Sequence, residues 1–335
     1  MTRTTLMLSQ RDVAKLVDVP TTIRVVREAF LAMARGETIM PAKLYLPLPD
    51  GSDFRAMPAA LLRPAACGMK WVNVHPRNRR VGLPTIMGII VLNDPKTGCP
   101  LAVMDGLLVT KLRTAAAGAV AAQALARRNS TVVGLVGCGA QADAQLLALA
   151  VVFRLSRVKV WGYLPGEAER FCRMMRRRLA SVVFEPCTTV EHAVRAVDLL
   201  VTLTPSRRPL VKRAWLAPGV HINAIGADGP GKQELEPSIL TASTVVVDEE
   251  TQALHGGELN VPVSRRQFRR QDIHANLGEI LLGQRAGRRS PREWTVFDST
   301  GLAIHDIALG SEIVRRAHRQ GVGRRIAFFS PSLLG

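Results

Sequence analysis

The sequence contains few aromatic residues, no long apolar run and no closely spaced cysteines. Phe, Trp and Tyr make up 4% of its 335 residues, which leaves little material for stacking nucleic-acid bases. The longest apolar stretches, such as Ile86 to Leu92, are too short to cross a bilayer, and the opening residues lack the apolar segment of a secretory signal. The five cysteines form no CxxC pair, so neither a disulfide framework nor a zinc site is expected. We therefore expect a cytoplasmic protein without a metal or a membrane partner.

Acidic residues are scarce relative to basic ones. The 45 Lys and Arg residues outnumber the 27 Asp and Glu residues, which gives a formal net charge of +18. A charge of this size can indicate a nucleic-acid partner, but the basic residues are spread over several helical stretches and not gathered in one arm or tail. We interpret them as solvated helix faces and expect no nucleic-acid partner. The positive field favours an anionic substrate or cofactor.

The apolar pattern divides the chain into two kinds of structure. Residues 11–35 have helical spacing, and the short strand-like stretches between residues 42 and 104 predict an α+β unit with a mostly antiparallel sheet. A helix rich in small residues is predicted over 110–127. From Val132 to Val247, short apolar strands alternate with helical stretches, which predicts a doubly wound parallel sheet. A last helix, over 304–318, is expected to return to the first domain.

A glycine-rich turn follows the first strand of the alternating region. After the apolar strand Val132 to Val136 come Gly137, which takes the tight bend, and Gly139, which lets the backbone approach phosphates. Ala142 replaces the third glycine of the dinucleotide pattern and still allows close packing of helix and strand. The helix that follows offers unpaired N–H groups to a pyrophosphate. The segment therefore predicts a dinucleotide-binding site of the Rossmann type.

The end of the second strand leaves the choice between NAD and NADP open. Proteins that prefer NAD usually carry an acidic residue there to hold the ribose diol. In this sequence Gly162 and Tyr163 occupy that place, and no carboxylate appears before Glu167. A 2′-phosphate would meet no repulsion, and Lys159 or Arg170 could attract it, which favours NADP slightly.

Candidate catalytic and substrate-binding residues lie outside the glycine turn. Asp228 follows an apolar strand in a Gly/Pro-rich loop and is a candidate acid or base, although such an Asp is often only a turn former. Lys43, Arg55, Lys70 and Arg113 are cations in apolar settings, and several converging on one cleft would bind a carboxylate. A desolvated lysine there could have a lowered pKa and carry a proton. Each could also be a surface cation with a buried stem.

A set of short motifs in a fixed order resembles the ornithine cyclodeaminase/mu-crystallin family over nearly the whole chain. The motifs are Met57-Pro58, Lys70-Trp71-Val72-Asn73, Gly82-Leu83-Pro84-Thr85, Asp94-Pro95-Lys96-Thr97-Gly98, Met104-Asp105-Gly106, Arg113-Thr114-Ala115-Ala116, the Gly137 loop with Gln141, Thr202-Leu203-Thr204-Pro205-Ser206, the loop from Gly226 to Lys232, and Asp298-Ser299-Thr300-Gly301. The resemblance implies a substrate-binding and homodimerisation domain formed by residues 1–114 and 303–335. A dinucleotide-binding Rossmann domain over 115–302 would lie between them.

The resemblance also implies roles for individual residues. Lys70 and Arg113 would bind the substrate carboxylate, and Lys70 and Asp228 are the candidates for acid/base catalysis. The predicted cofactor-binding residues, including those of the glycine turn and the strand ends, are Thr85, Arg113, Gly137, Gly139, Ala140, Gln141, Gly162, Tyr163, Thr202, Thr204, Gly226, Asp228, Lys232 and Ser299. The cofactor would be NAD or NADP.

One departure from the family pattern indicates the subfamily. Ornithine cyclodeaminases have a Glu before the Met-Pro pair that can bind the distal ammonium of the substrate, whereas this chain has Arg55 in that segment. An arginine there would repel a diamino acid and is similar to the archaeal alanine dehydrogenase branch. We therefore expect an NAD(P)-dependent amino-acid dehydrogenase or imine reductase with an alanine- or pyruvate-like substrate. The alternatives are an ornithine cyclodeaminase and a non-catalytic mu-crystallin-like NADPH-binding protein.

Overall fold

The computed structural model describes residues 4–328, which form two compact units. The first unit ends at Arg113 and resumes at Leu302, and the second runs from Thr114 to Gly301. The boundaries expected from the sequence, 114/115 and 302/303, each differ from these by one residue; residues 1–3 and 329–335 of that prediction lie outside the described part. That the first unit binds the substrate and the second the dinucleotide stays a prediction.

Strands and helices cover both units. The strands are β1 (Thr5–Leu8), β2 (Thr38–Ile39), β3 (Leu44–Pro47), β4 (Asp53–Leu62), β5 (Ala65–Val74), β6 (Ile86–Asn93), β7 (Pro100–Asp105), β8 (Val132–Val136), β9 (Arg157–Trp161), β10 (Val183–Cys187), β11 (Leu199–Thr202), β12 (His221–Ala224), β13 (Ser243–Val247), β14 (Ala275–Asn276), β15 (Trp294–Asp298) and β16 (Arg324–Ile326). The α-helices are α1 (Gln10–Leu16), α2 (Val19–Ala34), α3 (Leu107–Leu125), α4 (Ala142–Val152), α5 (Glu167–Arg176), α6 (Val190–Val194), α7 (Pro237–Thr241), α8 (Glu250–Gly256), α9 (Asn260–Ser264), α10 (Leu277–Leu281) and α11 (Ala303–Gln320).

The sheet of the first unit has the strand order β16-β1-β7-β6-β5-β4-β2, and β3 also pairs with β4. Its pairings are antiparallel except that of β1 with β7. Side chains in β4 and β5 alternate between more and less buried, as in a sheet with one covered face. Helix α11 packs on β4 and β5, and α2 packs on α11. The predicted antiparallel α+β unit is therefore confirmed; β1 and β16 were not predicted, because strands this short show too little alternation.

The second unit contains a parallel sheet with the strand order β10-β9-β8-β11-β12-β15-β13-β14. In chain order, β9 and β10 are added on one side of β8, and the strands from β11 onward are added on its other side. This reversal is the switch point at which open α/β sheets bind ligands. The predicted doubly wound sheet is confirmed, but β15 was not predicted, although it lies between β12 and β13. Its position depends on pairing with strands more than 45 residues away in sequence, which local periodicity cannot report.

Helix α3 is the small-residue helix that the sequence predicts. Within the second unit a Cβ at Gly118 would lie 2.6 Å from Gln145 Oε1 and 3.1 Å from Asn223 Nδ2. Asn223 Nδ2 also donates to Gly118 O at 3.0 Å. Only a residue without a side chain permits this approach of α3 to its neighbours. Across residues 4–328 we find no helix with the length and apolarity needed to cross a bilayer.

Candidate functional site

The turn between β8 and α4 has the geometry of a phosphate-binding loop. Gly137 has a φ of +102°, and a Cβ there would lie 3.0 Å from Thr204 Cγ2, so any other residue would be strained and crowded. A Cβ at Gly139 would meet no atom within 4 Å, which leaves the space above this residue open. Ala142 is fully buried at the start of α4. The backbone geometry, the open space and the burial at these three residues fit the predicted turn, and their role in cofactor binding stays a prediction.

Gln141 supplies an independent sign that this loop accepts a ligand. Its Oε1 atom is buried and has no hydrogen-bond partner among the described residues. Leaving a buried acceptor without a partner costs about 1–3 kcal/mol, which a bound group with a hydrogen-bond donor would recover. The first helical N–H groups of α4 favour an anion at the same loop. The residues present thus fit a dinucleotide, and Gln141, Gly137 and Gly139 are the ones that would hold its pyrophosphate region.

The end of β9 is more crowded than the sequence suggests. A Cβ at Gly162 would lie 2.7 Å from Cys138 Sγ and 2.8 Å from Glu167 Cβ. Glu167 Oε2 in turn accepts a hydrogen bond from Leu164 N at 3.0 Å. The Cβ atom of Glu167 therefore lies next to the position that the Cβ atom of an acidic residue at 162 would occupy. Tyr163 at this end is 82% exposed.

The cations near β9 have different surroundings. Lys159 Nζ donates to Arg195 O at 2.9 Å, so its ammonium is already engaged with the backbone. Arg170 is exposed, and its Nη1 atom lies 3.0 Å from where a Cβ of Gly166 would be. Of the two cations that the sequence offers for a 2′-phosphate, Arg170 is thus the one beside the loop that follows β9.

The ends of β11 and β12 bring several of the predicted residues together. Thr202 and Thr204 are buried at the end of β11 and just beyond it. Thr204 N and Gly226 N both donate to the carboxylate of Glu234, at 2.6 and 3.0 Å. Sequence reasoning did not select Glu234, although it directly follows the loop that contains Asp228.

Asp228 and its neighbour form an ion pair. Its Oδ1 accepts a hydrogen bond from Lys232 Nζ, and the side chain of Asp228 is about one-third exposed. Both residues lie in the loop after β12, at the carboxyl edge of the parallel sheet. Ser299, at the end of β15, is buried and donates its N–H to Ala224 O at 3.0 Å.

Glu234 belongs to a set of buried carboxylates along this edge. Burial raises the pKa of Glu234 to about 7, against the opposing effect of hydrogen bonds that include those from Thr204 and Gly226. Burial raises the pKa of Glu258 well above its usual range, and the charge of Glu234 adds to this. Two such groups near one another favour a state in which at least one of them carries a proton at neutral pH.

The first unit contains a buried cluster of two cations and one anion. Lys70, in the middle of β5, is 1% exposed, and its Nζ lies 2.8 Å from Asp306 Oδ2 and 3.2 Å from Thr110 Oγ1. Arg113 Nε donates to the other Asp306 oxygen, Oδ1, at 3.1 Å. The structure thus brings together Lys70 and Arg113, as the sequence predicts, around an aspartate that the sequence reasoning missed. The signal available was an acidic residue within the apolar face of the predicted last helix.

Burial and charge together tune this cluster. Burial lowers the pKa of Lys70 to about 7, with a further lowering by Arg113 and Lys43, while Asp306 opposes the change. For Asp306, burial disfavours ionisation, but Arg113 and Lys70 outweigh it and hold the pKa below its usual value. Lys70 is therefore a lysine that can both give and take a proton near neutral pH. The three side chains carry one more positive than negative charge when Lys70 is protonated.

Arg55 lies on the same covered face of the sheet but has its own partner. Its Nε and Nη2 atoms donate to Asp53 at 2.7 and 3.1 Å, and its guanidinium carbon lies 5.1 Å from the ring centroid of Tyr45. The sequence suggests Arg55 as a cation in an apolar setting, and the structure adds that Asp53, two residues before it, is its ion-pair partner. The role of Arg55 in substrate binding stays a prediction. Lys43 lies close enough to Lys70 to lower the pKa of the latter.

Two predicted cofactor-binding residues, Thr85 and Arg113, belong to the first unit, whereas the others belong to the second. Thr85 is half-buried before β6, and its carbonyl accepts from His75 N at 2.7 Å. The ring of His75 contacts Asn73 Nδ2 at 2.9 Å through its Nδ1 atom. These contacts suit the structural role that the sequence suggests for His75, which stays a prediction.

One group of side chains in the described residues has metal-ligand character. Glu185, Cys187 and His192 place one ligand atom each within 4.8 Å of one another. His192 Nε2 lies 2.7 Å from Glu185 Oε1, and Arg157 bonds to the other carboxylate oxygen. Burial also raises the pKa of the Cys187 thiol, which disfavours the thiolate that a metal needs. These ion pairs account for the grouping, and the expectation of a protein without a metal stays a prediction.

A model of the ornithine cyclodeaminase/mu-crystallin family matches residues 3–321. The chain belongs to this family. Among its relatives is an alanine dehydrogenase of Archaeoglobus fulgidus, which is 48% identical over 97% of this chain and 99% of its own length. The family resemblance that the sequence motifs indicate is thus confirmed.

Solved structures of family members superpose on nearly the whole chain. A dimer of an archaeal alanine dehydrogenase with bound NAD has a TM-score of 0.94 at 47% identity, and the match covers 98% of this chain and 100% of that one. The Δ1-pyrroline-2-carboxylate reductase of Thermococcus litoralis, in complex with NADH and L-proline, has a TM-score of 0.93 at 34% identity, covering 96% and 100%. The combination of a Rossmann-type sheet and a second α+β unit is thus the fold of these enzymes.

Proposed function

We propose that this chain is an NAD(P)-dependent oxidoreductase that transfers a hydride between the nicotinamide and the α-carbon of a small amino acid or its imine. Its similarity to an alanine dehydrogenase and to a Δ1-pyrroline-2-carboxylate reductase supports this reaction class. The observation that carries the proposal is the buried cluster of Lys70, Arg113 and Asp306. It combines an excess of positive charge with a lysine that titrates near neutral pH.

The excess charge suits a substrate carboxylate. A buried cation without a matching anion is unfavourable. Asp306 neutralises only one of the two cations, Lys70 and Arg113, and the carboxylate of a bound substrate would neutralise the other. Arginine binds carboxylates through paired N–H donors, which also orients them. Arg113 and Lys70 would therefore bind the carboxylate, with Lys43 adding to the local positive field.

Proton transfer must accompany the hydride. The nicotinamide, when bound, supplies or accepts the hydride; reduction of an imine then requires one proton on nitrogen to yield the amine. Lys70, with its pKa lowered to about 7, can carry that proton, donate it to the substrate nitrogen and thereby become neutral. In the oxidative direction neutral Lys70 would remove the proton from the ammonium group. Asp228 remains the second candidate for this role, since it lies at the carboxyl edge of the dinucleotide-type sheet.

The substrate side of the proposal favours a small acid over a diamino acid. Arg55 stands where a cyclodeaminase has an acidic residue, and the carboxylates beside these cations, Asp53 and Asp306, are already paired with Arg55 and with Lys70 and Arg113, whereas a distal ammonium would require an anion of its own. At close range the repulsion of two like charges costs about 1–4 kcal/mol, depending on screening. An alanine- or pyruvate-like substrate or a cyclic imino acid therefore fits better than ornithine. We also propose a homodimer, by analogy with the dimeric archaeal alanine dehydrogenase. The cytoplasmic location expected from the sequence is part of the proposal as well.

A single set of assays tests the function. Purified protein is mixed with NADH or NADPH, ammonium and pyruvate, or with Δ1-pyrroline-2-carboxylate, while the absorbance at 340 nm is followed; ornithine is tested in parallel for proline formation. Oxidation of the reduced cofactor with pyruvate or the cyclic imine is expected. Lys70→Met, which keeps the apolar stem and removes the ammonium, should reduce kcat/KM by at least about a hundredfold.

Lys96→Met is the matched control, because Lys96 lies exposed in a turn. It should leave the rate unchanged. Proline production from ornithine without net consumption of cofactor would contradict the proposal in favour of a cyclodeaminase. Cofactor binding without turnover of any of these substrates would favour a non-catalytic binding protein.

A further inference from the structure

Glu234 connects two loops at the carboxyl edge of the parallel sheet. Its Oε1 atom accepts hydrogen bonds from Thr204 N at 2.6 Å and Thr204 Oγ1 at 2.7 Å, in the loop after β11. Its Oε2 atom accepts from Gly226 N at 3.0 Å, in the loop after β12. One carboxylate thus bonds to the ends of two adjacent strands, and it is completely buried.

The two loops approach each other so closely that a side chain at Gly226 would not fit. A Cβ there would lie 2.3 Å from Thr204 O and 2.4 Å from Glu234 Oε2. Glycine is therefore required at position 226 because a side chain would collide with the Glu234 carboxylate and the Thr204 backbone, and not because its own backbone dihedral angles demand it. Gly226 is followed two residues later by Asp228, so the position of the Glu234 carboxylate determines where the Asp228 loop begins.

Glu234 is itself held in place by a second buried carboxylate. Its backbone N–H donates to both oxygens of Glu258 at 3.0 Å, and Leu235 N donates to Glu258 Oε1 at 2.6 Å. The backbone N–H groups of Glu258 and Leu259 then donate to Asp298, at the end of β15, at 2.9 and 3.1 Å. The series of carboxylates anchors the backbone that carries the Glu234 side chain to the end of β15, a central strand of the sheet.

We propose that Glu234 is a positioning residue of the hydride-transfer site, which holds the Thr204 and Gly226 loops together and so fixes where Asp228 and the nicotinamide-facing backbone lie. This inference depends on the proposed function, because it assigns the carboxyl edge of the sheet to the cofactor. Glu234 acts through these loops and has no direct role with the substrate. The alternative is that Glu234 only stabilises the fold.

The substitution Glu234→Gln tests this proposal. An amide has a single acceptor oxygen, so the variant can bond to Thr204 or to Gly226 but must place its NH2 group against the other N–H donor. One of the two loops is thereby released while the size of the side chain is kept. We expect kcat for imine reduction to fall about a hundredfold, as for a small displacement of reacting groups. NADH should bind about tenfold more weakly, as judged by titration of its fluorescence, whereas the KM of the imine should not change.

A measurement on the protein without cofactor provides a second readout. In the wild-type protein the amides of Thr204 and Gly226 should be protected from hydrogen exchange, because both donate to a buried acceptor. In Glu234→Gln the exchange of peptides covering residues 203–206 or 225–228 should become faster. Thr204→Val removes only the hydroxyl donor and should produce the same pattern of loss in kcat and NADH affinity, but smaller. This variant keeps the test informative if Glu234→Gln does not fold.

Asp198→Asn is the matched control. Asp198 accepts hydrogen bonds from Thr131 N, Val132 N and Arg127, and these lie at the start of β8, the edge opposite the proposed cofactor site. This variant should lower the melting temperature without affecting NADH affinity or the exchange of the two loops.

Two results would overturn the role of Glu234. One is a folded Glu234→Gln protein with unchanged kcat, NADH affinity and loop exchange. The other is a loss that appears only in the melting temperature, as for Asp198→Asn. If the wild-type protein binds NADH but reduces no imine or 2-oxo acid, the proposed function fails instead, and the NADH titration and the exchange measurement still decide the role of Glu234.

Discussion

Lys70 shows how a single buried ammonium can be kept without losing its capacity to titrate. Its stem lies in the covered face of the β-sheet, where an unpaired cation would be costly. Asp306 provides the compensating charge, but it shares that charge with Arg113, so the compensation is incomplete. The result is a lysine with a pKa lowered to about 7. Full pairing would have kept the lysine permanently charged and unsuited to proton transfer.

Removal of the shared anion should have a large effect on stability. Asp306→Asn leaves the buried Arg113 without its anion and, because Asp306 raises the pKa of Lys70, shifts Lys70 further toward its neutral form. Breaking a buried ion pair in this way typically costs about 3–5 kcal/mol. We expect the free energy of unfolding, measured by urea denaturation at pH 7, to fall by this amount. Asp272→Asn is the control, because Asp272 forms an exposed pair with Arg269 and should have little effect. Equal stability of the two variants would show that Asp306 does not compensate the buried cations.

The lowered pKa of Lys70 predicts opposite pH profiles for the two reaction directions. Imine reduction needs protonated Lys70, so its kcat/KM should decline as the pH rises through about 7, whereas kcat/KM for amine oxidation should increase. Stability should respond as well. Between the folded pKa of about 7 and the unfolded value near 10.5 the unfolded chain binds more protons, so this group makes stability rise with pH over that interval.

These pH profiles can be checked by initial rates and by urea unfolding at pH 6 to 10. In Lys70→Met the rise in stability above pH 7 should be lost, because the titrating group is gone. A reductive rate that stays flat from pH 6 to 8.5 would exclude Lys70 as the proton carrier, and would favour Asp228.

At the scale of elements, we expect the junction of β9 and α5 to influence the choice between NAD and NADP. The strand ends without an acidic residue, yet the first residue of the following helix, Glu167, places its Cβ beside Gly162. Cys138 Sγ, from the glycine turn, approaches the same point. The side chain of Glu167 therefore begins beside the place where an acidic residue at the end of β9 would begin, and we expect its negative charge to disfavour the 2′-phosphate of NADP.

We expect the wild-type enzyme to use NADH better than NADPH. Glu167→Gln removes the negative charge and should reduce the preference about tenfold, which corresponds to a repulsion near the lower end of the range of about 1–4 kcal/mol for two like charges at close distance. The ratio of kcat/KM values for the two cofactors measures this. Glu169→Gln, an exposed neighbour on α5, should leave the ratio unchanged. A wild-type preference for NADPH that Glu167→Gln does not alter would assign the choice to Arg170 instead.

At the scale of the whole molecule, the chain contributes its two ends to one unit and its middle to the other. Residues of the predicted substrate site are correspondingly far apart in sequence, since Lys70 and Asp306 are separated by 236 positions. The net charge of +18 is a property of the whole chain as well. It should raise the local concentration of anionic substrates and cofactors, an effect that salt screens.

The sequence by itself determined those features that depend on neighbouring residues. The turn with Gly137 and Gly139, the alternation of strands and helices around it, and the cations Lys70 and Arg113 could all be recognised, because each is a short pattern with a local physical cause. The family motifs extended this to the whole chain. Only the tertiary structure decided that Asp306 joins the two cations, that Glu167 lies beside Gly162, and that Glu234 ties two loops together. The contacts of Asp306 with Lys70 and of Glu234 with Thr204 join segments 30 or more residues apart, and no local sequence pattern identifies the partner of a buried carboxylate. The Glu167 contact is local in sequence, but it depends on the path of the backbone between β9 and α5, which the residue pattern does not specify.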